Sequence, residues 1–224
     1  MRDAIEPDLR TVDHPAVADR LARLRNRDTP MPVFRKLLEE IGAFLAYEAT
    51  RTLPVRDERV VTPLVEMRAQ RIATRPVVAP ILRAGLGLLP GFLEVIADTV
   101  VAHLGFYRDP QSLQPVPYYA NLPDDLSERH VFVLDPMLAT GNSGAAALDA
   151  LVSRGARELS FISVLAAPEG IHRIHAAHPT VRFVTAALDE RLNDHGYILP
   201  GLGDAGDRMF GSTSSVPVAV RPRQ

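Results

Sequence analysis

The stretch His130-Val-Phe-Val-Leu-Asp135-Pro-Met-Leu-Ala-Thr140-Gly-Asn142-Ser143-Gly144 runs from an unbroken apolar segment, through a single acid, into a hydroxyl- and glycine-rich turn. Val131 to Leu134 lack the alternation of a half-exposed strand, which predicts a strand covered on both faces of a parallel sheet. Asp135 then falls at the strand's carboxyl end, where open α/β sheets place their ligands. From Ala139 to Gly144 small residues let successive N–H groups converge, and Thr140 and Ser143 add hydroxyl donors. The segment Ala145 to Val152 is strongly helix-forming, so the positive end of its dipole faces the same spot. The whole reads as a phosphate cradle with a carboxylate placed to accept hydrogen bonds from sugar hydroxyls. It lacks the Gly-Lys-Ser/Thr ending of a nucleotide P-loop, which removes an ATPase reading.

Working outward, apolar runs alternate with helical patterns. Val77 to Leu82 precedes a helix over Leu88 to Ala97 and a second run, Val100 to Phe106; beyond the central stretch come Leu159 to Ala166, a short helix near Ile171 to Ala177, and Val181 to Ala186. This order predicts an α/β fold, a mostly parallel central sheet flanked by helices with right-handed crossovers. Val33, Phe34, Leu37, Leu38, Ile41, Phe44 and Leu45 recur at helical spacing, giving an N-terminal helical extension with an amphipathic helix from Met31 to Tyr47. Thr52 to Thr74 reads as a short hairpin, and the proline-rich segment from Tyr107 to Arg129 as a flexible lid loop. One domain is expected over residues 1–211, with residues 212–224 a surface tail.

The chain of 224 residues carries a net charge of −2 and no cysteine, which excludes disulfides, thiolate metal sites and cysteine nucleophiles. It has no basic run to capture nucleic acid, no apolar stretch long enough for a membrane and no secretory signal at its start, so a cytoplasmic location is expected.

Two further motifs carry chemistry. Pro80-Ile-Leu-Arg83-Ala-Gly-Leu-Gly87 again ends a strand and opens a helix, so its N–H groups and the Arg83 guanidinium form a second anion site. Gly201-Leu-Gly203-Asp204-Ala-Gly206 fits the dinucleotide pattern but follows no proper strand, and too little chain remains for the unit that pattern needs. It reads instead as a tight, non-repetitive loop whose backbone groups face a flat heterocycle, with Asp207 a helix cap or turn acid. His172, His175 and His178 drift around their helix and are expected on a solvated side, with no zinc site.

Asp135-Pro-Met-Leu-Ala-Thr-Gly141 resembles the ribose-phosphate loop of uracil phosphoribosyltransferases, a branch of the type I phosphoribosyltransferase superfamily. Tyr47-Glu-Ala-Thr50, the Pro80–Gly87 block and His195-Gly-Tyr-Ile-Leu-Pro-Gly-Leu-Gly-Asp204-Ala-Gly-Asp207 match in the same order. With His14-Pro and Ala167-Pro-Glu-Gly170 they extend the likeness from His14 to Gly211. The resemblance implies an enzyme of pyrimidine salvage that transfers the 5-phosphoribosyl group from 5-phosphoribosyl 1-diphosphate to N1 of uracil, forming UMP and pyrophosphate. It implies Mg2+ bound through the donor and, by way of water, near Asp204. It also implies a homodimer or higher homo-oligomer, and GTP as an activator in some members.

Carried over residue by residue, the resemblance assigns the donor to Arg83, Arg108, Asp204 and the run Asp135, Pro136, Met137, Leu138, Ala139, Thr140, Gly141, Asn142 and Ser143. It assigns uracil to Ile198, Gly203, Asp204 and Ala205, and catalysis to Asp135, Asp204 and Arg108. Pro136 stands where most of the superfamily has a second acid, as in the uracil branch, and Asn142 where the family commonly has glycine. A phosphoribosyltransferase for another nucleobase, or a non-catalytic sensor of the donor or UMP, are the alternatives.

Overall fold

The structure is a computed structural model describing residues 7–108 and 115–211, with backbone only at Arg108. Strand β1 (Asp8–Thr11) leads into helices α1 (Pro15–Arg25) and α2 (Met31–Ala49). The expected hairpin is present as β2 (Val55–Val61) and β3 (Glu66–Ile72), paired antiparallel. There follow β4 (Val77–Leu82), α3 (Leu89–Val95), the two-residue β5 (Val100–Val101), β6 (His103–Arg108), β7 (Pro115–Asn121), β8 (His130–Leu134) and β9 (Met137–Leu138). Next come α4 (Asn142–Val152), β10 (Glu158–Ala166), α5 (Pro168–Ala177) and β11 (Arg182–Leu188). A small antiparallel pair, β12 (Arg191–Leu192) and β13 (Ile198–Leu199), precedes α6 (Ala205–Phe210).

The main sheet has the order β1-β11-β10-β8-β4-β6-β7, with β5 beside β4 and β9 beside β10. Every neighbouring pair is parallel except β6 with β7. Its two faces are buried separately, which accounts for the missing alternation in the sequence. Phe132 and Leu134 pack with α1, α2 and α3 through Leu24, Phe34, Leu38, Ile41 and Phe92, whereas Val131 and Val133 pack with α4 and α5 through Leu148, Leu151 and Ile174. After β4 the chain adds β6 on one side, then returns to place β8 on the other. The crevice between the carboxyl ends of β4 and β8 is therefore the topological switch point at which such sheets hold ligands.

Two expectations need correction. The N-terminal segment is not wholly helical: β1 joins the sheet edge, with Leu9 opposite Phe183. Its sequence, Asp-Leu-Arg-Thr, is too short and polar to announce a strand, and pairing along one side supplies the order that propensity does not. The segment from Tyr107 to Arg129 is not one long loop either. Residues 115–121 form β7, an edge strand against β6, where Pro115 and Pro117 cost no interior ladder bond. Leu126 is fully buried, and its N–H donates to the Arg154 carbonyl at 2.9 Å. Residues 109–114, the centre of the expected lid, and the expected tail at 212–224 lie outside the described residues.

Helices α2 and α3 approach so closely that side-chain volume is excluded between them. A methyl group on Gly91 of α3 would overlap the Glu39 carbonyl oxygen and lie 2.6 Å from the Ala43 nitrogen, both on the α2 backbone. Gly91→Ala should therefore destabilise the protein by about 1–3 kcal/mol through overpacking, despite alanine's better helix propensity. Urea denaturation would measure this, and an unchanged midpoint would show that α3 can shift freely on α2.

Candidate active site

Three separated segments converge at the switch point. At β4, Ala84 and Gly85 start a single 3-10 turn, and a Cβ on Gly85 would sit 2.5 Å from the carbonyl oxygen of Leu134 at the end of β8. That close approach brings the turn after β4 against the end of β8. The third segment, His195 to Gly206, crosses above them. Together they enclose a cleft of about 330 Å³ lined by Ala84, Asp135, Met137, Ala139, His195, Gly196, Tyr197, Ile198, Gly203, Asp204, Ala205 and Gly206.

After Asp135 the chain does not turn at once. The Pro136 carbonyl accepts the N–H groups of Val164 and Leu165 at 3.1 and 3.0 Å, and Met137 and Leu138 rejoin the sheet beside β10. The Leu138 carbonyl accepts the Ala167 N–H at 2.9 Å. Pro136 and Leu138 therefore fix the strap, while Met137 and Ala139 line the cleft. The tight turn is confined to Ala139–Gly141, with Gly141 in the left-handed region (φ 77°) as the N-cap of α4. Helix α4 begins at Asn142, earlier than the helix expected from Ala145, so Asn142 and Ser143 lie in its first turn. The left-handed angle falls on Gly141, so asparagine at position 142, where the family commonly has glycine, costs the turn no backbone strain. The Asn142 Oδ1 accepts from Arg173 Nε at 3.5 Å, and the Asn142 N–H is 3.5 Å from Thr140 Oγ1.

The loop expected from Gly201 to Gly206 ends in a helix, with Ala205 and Gly206 opening α6. Asp204 caps α6, its Oδ1 accepting the Asp207 N–H at 2.8 Å, so Asp204 rather than Asp207 is the capping acid. Ile198, Gly203, Asp204 and Ala205 all line the cleft. The Arg83 guanidinium lies 5.4 Å over the ring of Phe210 on α6, beside the cleft. Arg108 ends β6 at the same sheet edge, and its side chain lies outside what is described. Of the histidines, His172 is exposed, but His178 sits half-buried with Nε2 2.9 Å from Asp149 Oδ1 on α4, not on a wholly solvated side. Sequence reading missed His195, Gly196 and Tyr197 as wall residues. It also missed Arg25, Asp189 and Arg208, which hold the wall from behind. Asp189 follows β11 as Asp135 follows β8, so the strand-end rule applied to Asp135 would have found it.

Burial pushes the Asp135 carboxyl up to about 7, the Met137 N–H to its Oδ1 at 3.2 Å opposes that push, and the Asp204 carboxylate adds to it. An unfolded aspartate ionises near pH 3.9. Between that value and about 7 the folded protein holds the extra proton, so stability declines as pH rises through this window and the full penalty stands above it. Asp135→Asn should accordingly stabilise the ligand-free protein at pH 8 by about 0.5–2 kcal/mol, with the gain shrinking towards zero at pH 4. Denaturant titrations at the two pH values check both the size and the direction.

The model of the family described as uracil phosphoribosyltransferase matches residues 11–212. A uracil phosphoribosyltransferase of Paracoccus denitrificans is 53% identical over 205 residues, covering 91% of this chain and 97% of its own length. One from Geobacillus kaustophilus is 50% identical over 201 residues, 89% of this chain and 96% of its own. Among solved structures, the AQ2163 protein of Aquifex aeolicus superposes with a TM-score of 0.87 at 36% identity, covering 92% of this chain and 100% of that one. The adenine phosphoribosyl transferase of Trypanosoma brucei, at 13% identity and a TM-score of 0.58 over 89% of each chain, shares the fold. With the cleft at the switch point and these matches along almost its whole length, the chain belongs to the uracil phosphoribosyltransferase family.

Proposed function

We propose that the protein transfers the 5-phosphoribosyl group of 5-phosphoribosyl 1-diphosphate to N1 of uracil. The observation that carries this reading is the meeting of the Ala84 turn, the Asp135–Ala139 strap and the Gly203–Gly206 segment around one cleft. The first turn of α4 and the Thr140–Ser143 hydroxyls receive the 5-phosphate, and the Ala84–Gly87 turn with Arg83 and Arg108 receives the diphosphate. This leaves the anomeric carbon between them, beside the base held by Ile198, Gly203 and Ala205.

In the reaction the bond from the anomeric carbon to the diphosphate oxygen breaks, the bond to N1 forms, and the N1 proton departs. Positive charge grows on the ribose as the leaving group withdraws, and the Asp135 and Asp204 carboxylates lie where they stabilise it. Asp135 accepts hydrogen bonds from the ribose hydroxyls. Exclusion of water from the cleft protects the activated sugar until the base attacks. Among the described residues there is no group of three or more carboxylates and histidines fit to cage a metal. Two carboxylates on one cleft fit Mg2+: Asp204 and Asp135 would help hold it, and when bound it would offset the charge of the leaving diphosphate.

The purified protein should form UMP and pyrophosphate from uracil and the donor, and show no comparable turnover with orotate, cytosine, hypoxanthine or xanthine in a spectrophotometric assay. Asp204→Asn keeps the α6 cap, since asparagine caps as well as aspartate, yet removes the charge. It should fold normally and lose about 10²-fold in kcat; unchanged kinetics would take Asp204 out of the mechanism.

A homodimer or higher homo-oligomer is part of the same proposal. The β2–β3 hairpin, paired only with itself, exposes Val61, Leu64, Val65 and Met67, a patch that a second copy would cover. Sedimentation with and without GTP should give an assembly larger than one chain, and a monomer under both conditions would refute this extension.

A further inference from the structure

The cleft wall that faces the base is a backbone wall, and side-chain packing cannot set its height. Gly201 has a left-handed φ of 64°, and a Cβ there would overlap the Ile198 carbonyl oxygen. The buried peptide groups of Gly201 must still find partners. They find them in one ion pair. Asp189, at the carboxyl end of β11, is buried, with its side chain 4% exposed. Its Oδ2 accepts the Gly201 N–H at 2.9 Å and Arg25 Nη1 at 2.8 Å, and its Oδ1 accepts Arg25 Nη2 at 2.5 Å. Arg25 Nη1 also donates to the Gly201 carbonyl at 2.8 Å. Both backbone polar groups of a single glycine residue are thus gripped by two residues that lie 164 positions apart in the chain.

The next peptide is latched in a related way. Arg208 Nη1 donates to the Leu202 and Leu24 carbonyls at 2.8 Å, and Nη2 donates to the Asn26 carbonyl at 2.6 Å. The end of α1, which carries no residue assigned to the site, is thereby the platform on which residues 201 and 202 stand, and Gly203 follows as the first residue of this loop to line the cleft. A buried ion pair is a poor stability device, since apolar replacements of similar volume often serve as well. What it supplies here is geometry, because a planar guanidinium fork admits one arrangement of three acceptors.

We propose that Asp189 and Arg25 are positioning residues for the base, their ion pair setting the height of the Gly201–Gly203 backbone against the cleft. The inference rests on the reading that this backbone receives uracil. Loss of the clamp lets Gly203 move, weakening the base subsite while leaving the Thr140 and Arg83 ends of the donor site in place.

Steady-state kinetics of Asp189→Asn and Arg25→Lys, with each substrate varied in turn, test this. Asparagine keeps the shape but sets a neutral amide against the guanidinium, and lysine keeps the charge but cannot span Asp189 and Gly201 together. In Asp189→Asn the KM for uracil should rise on the order of tenfold, with kcat and the KM for the donor within about threefold of wild type. Arg25→Lys should show the same pattern at smaller size. If Asp189→Asn does not fold, Arg25→Lys decides by the same criterion. A uracil KM within twofold of wild type in the folded variants would overturn the proposal. So would a common loss of kcat and both KM values that tracks a lower Tm, since that is what a purely structural pair would give. Wild-type protein that forms no UMP would refute the functional reading itself.

Discussion

Covering a parallel sheet on both faces leaves the carboxyl ends of its strands as the place where charged side chains gather, and the rest of this molecule follows from that constraint. Phe132 and Leu134 belong to one apolar layer, Val131 and Val133 to the other, so the first polar side chain to follow them is Asp135, one residue past the end of β8. The neighbouring strand β4 presents its own turn at the same level, and Gly85 lets the two backbones touch. Strand β11 repeats the pattern with Asp189. Chemistry at this edge is a consequence of how the core is closed.

This explains which features were legible in the sequence. Elements buried on both sides write themselves as unbroken apolar runs, and β4, β8, β10 and β11 were readable to within two residues for that reason. The turns after β4 and β8 were legible because glycine, small hydroxyls and a charged residue gather at strand ends, where composition alone separates a turn from a helix start. The likeness of the His195–Asp207 block to one family suggested a base subsite there, which spacing could not have assigned.

Features fixed by pairing at a distance were not legible. Strand β1 has one apolar residue in four and owes its existence to β11. Strand β7 carries prolines that ordinarily argue against a strand, and an edge position removes the objection. Arg25 and Arg208 look like ordinary helix-end arginines until the fold sets one against Asp189 and the other against the carbonyls of Leu24, Asn26 and Leu202. The α6 cap was misplaced by three residues because both Asp204 and Asp207 suit such a role, and only the direction of the Asp207 N–H distinguishes them.

The electrostatics of the cleft are contradictory at rest. The first turn of α4 and the Ala84 turn favour anions, while between them Asp135 is buried enough to resist ionisation and feels the carboxylate of Asp204. A ligand of uniform charge would satisfy one half of this arrangement and offend the other. A sugar with anionic groups at both ends and electron deficiency growing at its centre satisfies both, and its fit improves as the central bond breaks. Opposed electrostatics of this kind are the expected companion of a site complementary to a transition state rather than to any resting molecule.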